Sequence, residues 1–311
     1  MADTPTAAEI EKYILDALAL IWRRALFSGD VDWDAVQREA REAAARAKGY
    51  AGTHRLLHRV LKQAGGQHSH FVAPYMRSRA TGSEMVARDR AAAGPPIPSG
   101  ELLDGVGYLV LPTTRAGRYG RRGSAAGLAV VDRLARARPA GWIVDLRDNQ
   151  GGNMWPMLAA VAGLLRPGVV GCFMRPGGGI QPWRVNRWCV SCGYRPMARR
   201  AGHGFRRGDA PIAVLTSQRT ASAAEAVLVA LRAQDRVRTI GTATAGMTTG
   251  NAGHLLPDGT MLRISEAYYA DARRQLVTGV IEPDQVVDAD NQQAAMTAAR
   301  EWIAGMTPTR P

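Results

Sequence analysis
An α/β core that follows an N-terminal helical bundle is the fold this 311-residue chain predicts. Three observations predict it. Apolar residues recur at helical spacing through the first 64 positions. From Gly107 onward, short β-branched runs alternate with Ala- and Leu-rich segments, the pattern of strands and connecting helices. Two strand–turn–helix units, at Asp145 and at Ser222, set glycine and small polar residues at a helix start, where backbone N–H groups have no partner within the helix.

The elements follow in order. Residues 8–27 carry Ile10, Tyr13, Ile14, Ala17, Leu18, Ile21, Trp22 and Leu26 on one stripe. Ser28-Gly-Asp30 ends that helix, and Asp32 or Asp34 starts a second that runs to Ala47. A third, 50–64, stops at Gly65-Gly66. His54 and His58 sit one turn apart on it. The stretch His-Arg-Leu-Leu-His lacks the glutamate of a zinc-binding H-E-x-x-H helix, so a solvated helix face is expected. Residues 76–100 are polar and rich in Pro and Gly and read as a linker or flap. The domain plan is therefore a helical bundle over 1–75 ending in the His68 loop, the linker or flap over 76–100, and the α/β domain over 101–311. In that domain 106–112, 142–146, 211–216, 237–241 and 261–269 read as strands, and 125–137, 154–165 and 221–233 as helices.

Composition narrows the function classes. With 46% hydrophobic and 22% charged residues the chain is of globular type, and no apolar run reaches the roughly 18 residues of a membrane span. The polar start Met1-Ala-Asp-Thr-Pro-Thr6 leads into an amphipathic helix, not into an apolar signal core, so a cytoplasmic location is expected. Cys172, Cys189 and Cys192 are too few for a disulfide framework. Cys189-Val-Ser-Cys192 has C-x-x-C spacing but no second pair to complete a zinc site, although His203 could add a ligand. The net charge of +13 invites a nucleic-acid reading. Only Lys12, Lys48 and Lys62 are lysine, however, and the arginines are dispersed with few aromatics between them. No nucleic-acid partner is expected, while attraction to acidic peptides stays open. No cofactor and no metal are expected, and the sequence does not fix the oligomeric state.

The chemistry centres on Leu215-Thr-Ser-Gln-Arg-Thr-Ala-Ser-Ala-Ala-Glu225. A serine at a helix N-terminus, here Ser222, has N–H groups and the positive end of the helix dipole beside it, which suits an oxyanion. Alternatively Thr220 or Ser222 only caps the helix. A nucleophilic serine needs a base within hydrogen-bond reach. All three lysines lie before residue 63, which leaves His54, His58, His68, His70, His203 and His254. His68 sits in a loop between a helix stop and a β-prone segment, and His70 shares its face if that segment is extended. Spacing alone leaves each of them equally a polar loop residue. At the other turn, Gly151-Gly152 frees the backbone to aim an N–H at a carbonyl oxygen, or simply makes a tight turn.

Five stretches then carry a resemblance: Asp145-Leu-Arg-Asp-Asn-Gln-Gly-Gly152, Thr220-Ala-Ser-Ala-Ala-Glu225, Thr244-Ala-Gly-Met-Thr-Thr-Gly-Asn251, the pair Leu256-Pro-Asp-Gly-Thr and Gly279-Val-Ile-Glu-Pro-Asp284, and Gly66-Gln-His-Ser-His-Phe71. In their order along the chain they resemble the motifs of the tail-specific, or C-terminal-processing, serine peptidases. Met247 stands where many members carry a catalytic lysine. With the helical start and the lack of a PDZ insertion, this makes the chain most similar to the nisin resistance protein and tricorn-core branches, which use a Ser/His pair. The resemblance implies a ClpP/crotonase-like ββα spiral. It implies Ser222 as nucleophile, His68 as base, and the N–H groups of Ala223 and of Gly151 or Gly152 as oxyanion hole. It also implies Glu282 as the group that orients the histidine, with Ser69 and His70 as alternatives, and Asn153 and Met154 along the substrate groove. The partner would be a peptide or unfolded polypeptide. Competing readings are a non-catalytic peptide- or ligand-binding protein on the same scaffold, a crotonase-type acyl-CoA enzyme, for which no adenine- or phosphate-site motif is present, and metal hydrolysis through His54, His58 and His70.

Overall fold
The computed structural model describes residues 4–74, 96–114, 117–199, 210–288 and 291–306. Most of the 76–100 flap segment, up to residue 95, lies outside the described residues, as does His203. Two compact units form. One gathers the chain up to residue 74 with 175–177 and 249–268, and the other holds the remaining described residues. The hairpin that the sequence reading kept with the α/β domain thus folds with the N-terminal helices.

In the first unit, α1 (Ala7–Arg24) opens on a capping box in which the Thr6 N–H donates to Glu9 Oε2 at 2.7 Å. Its stripe of Ile10, Ile14, Leu18 and Ile21 is buried with Val36 of α2 (Trp33–Arg46) and Leu57 and Leu61 of α3 (His54–Gly65). Three antiparallel strands complete the unit: β1 (His70–Val72) and β11 (Thr249–Leu255) both pair with β12 (Met261–Ala270), whose Leu262 and Ile264 join the helical core. His54 does not lie on a solvated face. Its Nε2 meets Asp258 Oδ2 at 2.8 Å, with the Thr260 and Tyr13 hydroxyls at 3.3 and 3.4 Å. The turn between β11 and β12 brings that carboxylate to the helix, which helical periodicity cannot foretell.

In the second unit, β3 (Val106–Val110), β4 (Trp142–Asp145), β9 (Ile212–Thr216), β10 (Val237–Gly241) and β13 (Gln285–Val286) are successive parallel neighbours, with β2 (Ser99–Leu103) antiparallel at the β3 edge. The central parallel strands are apolar on both faces because both are covered. Trp142, Val144, Ile212 and Val214 enter a core shared with α4 (Arg118–Ala135), α5 (Met154–Ala160) and α6 (Ala223–Arg232). Ile143, Ala213 and Leu215 point the other way, onto Ala295, Ala299 and Ile303 of α7 (Gln292–Met306). An antiparallel meander, β5 (Gly168–Met174), β6 (Ile180–Val185), β7 (Cys189–Cys192) and β8 (Arg195–Arg199), occupies the stretch the sequence left unassigned. Cys189 and Cys192 stand at the two ends of β7. About 10 Å of extended chain separates their Cα atoms, beyond the span of a disulfide. Neither forms a disulfide.

α4 starts at Arg118, ahead of the predicted 125, because its glycines serve packing and not propensity. A Cβ at Gly127 would lie 2.4 Å from the Ala160 Cβ, so the missing side chain is what lets α4 approach α5. Gly127→Ala should therefore destabilise the protein by about 1–3 kcal/mol, whereas helix propensity alone would stabilise it by nearly 1 kcal/mol. Urea unfolding reads the sign, and a more stable variant would refute the close approach of the two helices.

Candidate active site
In the second unit, β9 delivers the chain into the turn that carries Ser222, and α6 leaves from it. That turn is stitched to the one following β4. Ser217 Oγ donates to the Arg147 carbonyl at 2.5 Å, Thr220 Oγ1 donates to the Leu146 carbonyl at 2.9 Å, and the Ala221 N–H donates to the Asn149 carbonyl at 3.1 Å. Asp145 and Arg147 brace the second turn through an ion pair of 2.6 Å, and the Tyr108 hydroxyl donates to the same Asp145 oxygen at 2.7 Å. Ser222 is half-buried and has φ 55°, a backbone setting that non-glycine residues adopt only under compensation. A strained serine at a strand-to-helix turn is how hydrolase folds lift a nucleophile out of the chain path.

The compensation comes from Glu225, fully buried in the first turn of α6. Its Oε2 accepts the Ser222 N–H at 2.7 Å, and its Oε1 accepts the Thr244 hydroxyl at 2.5 Å and the Gly246 N–H at 2.9 Å. Burial pushes this carboxyl above its ordinary pKa, against the opposing pull of those donors. The phenol of Tyr269, also buried, hydrogen-bonds the Ser222 side chain, and burial raises its pKa, so it is a neutral group at physiological pH.

These bonds decide which N–H groups stay available. The Ser222 N–H is spent on Glu225, and the Gly151 N–H is spent on Asn149 Oδ1 at 2.9 Å. The N–H groups of Ala223, at the head of α6, and of exposed Gly152 donate to nothing among the described residues. Gly151 acts as a spacer: a Cβ there would lie 2.9 Å from Ser222 Cβ and 3.2 Å from the Ala223 nitrogen. Asn149, which the sequence reading did not single out, ties the two turns together, for its Nδ2 also donates to the Leu111 carbonyl at 2.8 Å. Asn153 caps α5 through Oδ1, which accepts the Trp155 N–H at 3.1 Å, and Met154 is buried in the large core. The Glu282 side chain is exposed, and its main-chain carbonyl accepts from Arg232 at 2.7 Å.

The histidines belong to the first unit. His68 is held in the loop between α3 and β1, where its Nδ1 lies 2.8 Å from Thr249 Oγ1 and its carbonyl accepts from Asn251 Nδ2 at 2.7 Å. Burial first, then the positive fields of His70 and Lys62, lower its pKa to about 4. The ring is therefore neutral at pH 7 and carries a lone pair. The ring of His70, which is exposed on β1, sits 6.0 Å from that of His68, centroid to centroid. Thr249 is the second functional candidate missed in the sequence; a hydroxyl in a Gly/Thr loop gives no signal of its own.

A mixed α/β core behind N-terminal helices, with a strained serine at the head of a helix, is the fold of a class of serine peptidases. The chain belongs to peptidase family S41, whose model matches residues 105–287. It is 26% identical to a nisin-resistance protein of Lactococcus lactis subsp. lactis over 296 residues, which span 94% of this chain and 86% of that one. A lipoprotein of Streptococcus agalactiae shares its fold with a TM-score of 0.76 at 22% identity, over 98% of this chain and 99% of the other. A photosystem II D1 C-terminal processing protease does so with a TM-score of 0.62 at 15% identity, over 90% and 94%. No helix among the described residues is long and apolar enough to cross a membrane.

The cradle around Glu225 accepts only donors, so an amide there would turn its own N–H groups against them. Glu225→Gln should lower stability by about 1–3 kcal/mol, read by chemical denaturation. Unchanged stability would mean that the carboxylate does not gather these donors.

Proposed function
We propose that the protein hydrolyses short or unstructured peptides through a Ser/His acyl-enzyme mechanism on a ClpP/crotonase-like core. One observation carries the proposal: Ser222 stands on a strained turn packed against Gly151, and the backbone donors that follow each of these two residues, those of Ala223 and Gly152, have no acceptor among the described residues. In the reaction, His68 Nε2 takes the proton of Ser222 Oγ as that oxygen attacks the peptide carbonyl. The tetrahedral oxyanion accepts from the Ala223 and Gly152 N–H groups. His68 gives the proton to the departing amine, and the acyl-enzyme remains. Water then attacks the ester with His68 again as base, which releases the new carboxylate and restores Ser222. Folded proteins keep their carbonyls hydrogen-bonded, so an unstructured segment is what offers a carbonyl to such a pair of donors. Cys172, Cys189 and Cys192 form no disulfide, which suits a reducing compartment, and cytoplasmic peptides are the proposed substrates. The orienting part first given to Glu282 passes to Thr249, since Nδ1 of His68 is already engaged there.

A fluorophosphonate probe tests the reading. Wild type should be labelled, Ser222→Ala should not, and His68→Ala should react about 10²- to 10⁴-fold more slowly. Equal labelling of wild type and Ser222→Ala would place the nucleophile elsewhere. Peptide binding with neither labelling nor turnover would favour the non-catalytic reading.

The pH dependence is a separate test. The histidine pKa is lowered in the folded protein, so the base is fully active above its ordinary 6.5 and is lost only as pH falls towards about 4. The acid limb of the labelling rate should have its midpoint near 4. A limb at 6.5 or higher would show that a buried, neutral His68 is not the base. The same sign governs stability. The unfolded chain binds the proton more readily, so the penalty of keeping His68 neutral appears as pH falls through 6.5 and grows down to about 4.

A further inference from the structure
We propose that His68 is positioned by a closed ring of neutral hydrogen bonds through Thr249, Ser265 and Asn251, a device without a carboxylate that fixes the proton on Nδ1 and the lone pair on Nε2. The proposal rests on the reading of His68 as the base. The ring runs from His68 Nδ1 to Thr249 Oγ1 at 2.8 Å, from Thr249 Oγ1 to Ser265 Oγ at 3.3 Å, from Ser265 Oγ to Asn251 Oδ1 at 2.8 Å, and from Asn251 Nδ2 back to the His68 carbonyl at 2.7 Å.

Its direction follows from counting hydrogens. A hydroxyl has one to give. Asn251 Oδ1 can only accept, so Ser265 spends its hydrogen there, and Thr249 spends its own on Ser265. What Thr249 then offers the imidazole is a lone pair, which requires the hydrogen to sit on Nδ1. The main chain of Thr249 also accepts from the ring.

The strand geometry builds this ring and excludes an acid from it. Thr249 and Asn251 are two apart on β11 and share a face. Asn251 lies opposite Ser265 on β12, next to an irregularity in which Glu266 is left without a partner across the ladder. The Glu266 carboxylate is turned to His254 at 2.5 Å and Arg175 at 3.3 Å. Ser265 is anchored as well: its N–H donates to Ser69 Oγ at 3.0 Å, and that hydroxyl donates to the Gly65 carbonyl at 2.7 Å. The residue next to His68 is thereby tied to both the end of α3 and the ring.

A hydroxyl orients an imidazole but does not neutralise an imidazolium, whereas a carboxylate does both. The two functions separate in Thr249 variants. Thr249→Val keeps the shape and removes the acceptor; it should slow fluorophosphonate labelling about 10- to 100-fold in a protein that still unfolds cooperatively. Thr249→Ser should restore the rate to within a few-fold of wild type. Thr249→Asp should move the midpoint of the acid limb upward, since an anion beside Nδ1 favours the protonated ring. Nitrogen-15 spectra of the histidine rings supply a readout independent of activity: wild type should show the Nδ1–H tautomer of His68, and Thr249→Val a mixture.

Labelling of Thr249→Val at the wild-type rate would overturn the proposal, as would a Thr249→Ser variant as slow as Thr249→Val. Should wild type fail to label, or label without Ser222, the peptidase reading falls, and the spectra alone decide the ring: an Nδ1–H tautomer lost in Thr249→Val upholds it, and an Nε2–H tautomer in wild type removes it.

Discussion

One buried carboxylate sets the position of everything around Ser222. Glu225 takes hydrogen bonds from the Ser222 and Gly246 N–H groups and from the Thr244 hydroxyl, and Met247 adds a main-chain bond. An anion without solvent is tolerated only where donors surround it, so the loop from Thr244 to Met247 and the turn at Ser222 are obliged to converge on one point. That convergence has a chemical consequence. Because the Ser222 N–H is used inside the fold, the next N–H along the helix, that of Ala223, is the one left without an acceptor among the described residues. In the proposed reaction the choice of oxyanion donor is thus made by a structural hydrogen bond. The same logic acts at the second turn, where Asn149 Oδ1 takes the Gly151 N–H and leaves that of Gly152.

The elements that the sequence disclosed are those whose burial is one-dimensional. The α1 stripe of Ile10, Ile14, Leu18 and Ile21 is packed as its spacing predicts, and 237–241 is the strand its β-branched run indicates. The meander from Gly168 to Arg199 stayed hidden because arginines, prolines and glycines interrupt any alternation, and its inward residues, such as Trp183 and Val190, are too few to form a pattern. The early start of α4 was hidden for a different reason. Gly120 and Gly123 read as helix breakers, yet both are buried, as is Gly127, which makes room for Ala160. Propensity is overruled wherever two helices must touch.

The site was legible in part. Ser222, Glu225 and Gly151-Gly152 stand in contiguous motifs that can be read singly, although Gly151 meets Ser222, and Glu225 meets Thr244 and Gly246, only across the fold. His68 could be named but not explained. Its ring partner Thr249 lies 181 residues away, and the hydroxyls that complete the network carry no titratable signal. His54 shows the converse, since the expected solvated face is closed by Asp258 from a turn 204 residues away. Long-range polar pairs are set by strand register, which spacing alone does not reveal.

A base with a pKa near 4 accepts a proton less readily than ordinary imidazole, and this weakness has a use in the proposed reaction. Burial and the nearby Lys62 and His70 disfavour imidazolium only while it has no counter-charge. As Ser222 attacks, a negative charge grows on the substrate oxygen while positive charge grows on His68. The two appear together, and their attraction has no counterpart in the resting enzyme. A carboxylate at Nδ1 would stabilise imidazolium at all times, before substrate as well as after. The hydroxyl of Thr249 orients the ring without supplying that permanent stabilisation. The electrostatic gain then falls on the transition state alone, which is where an interaction accelerates the chemical step.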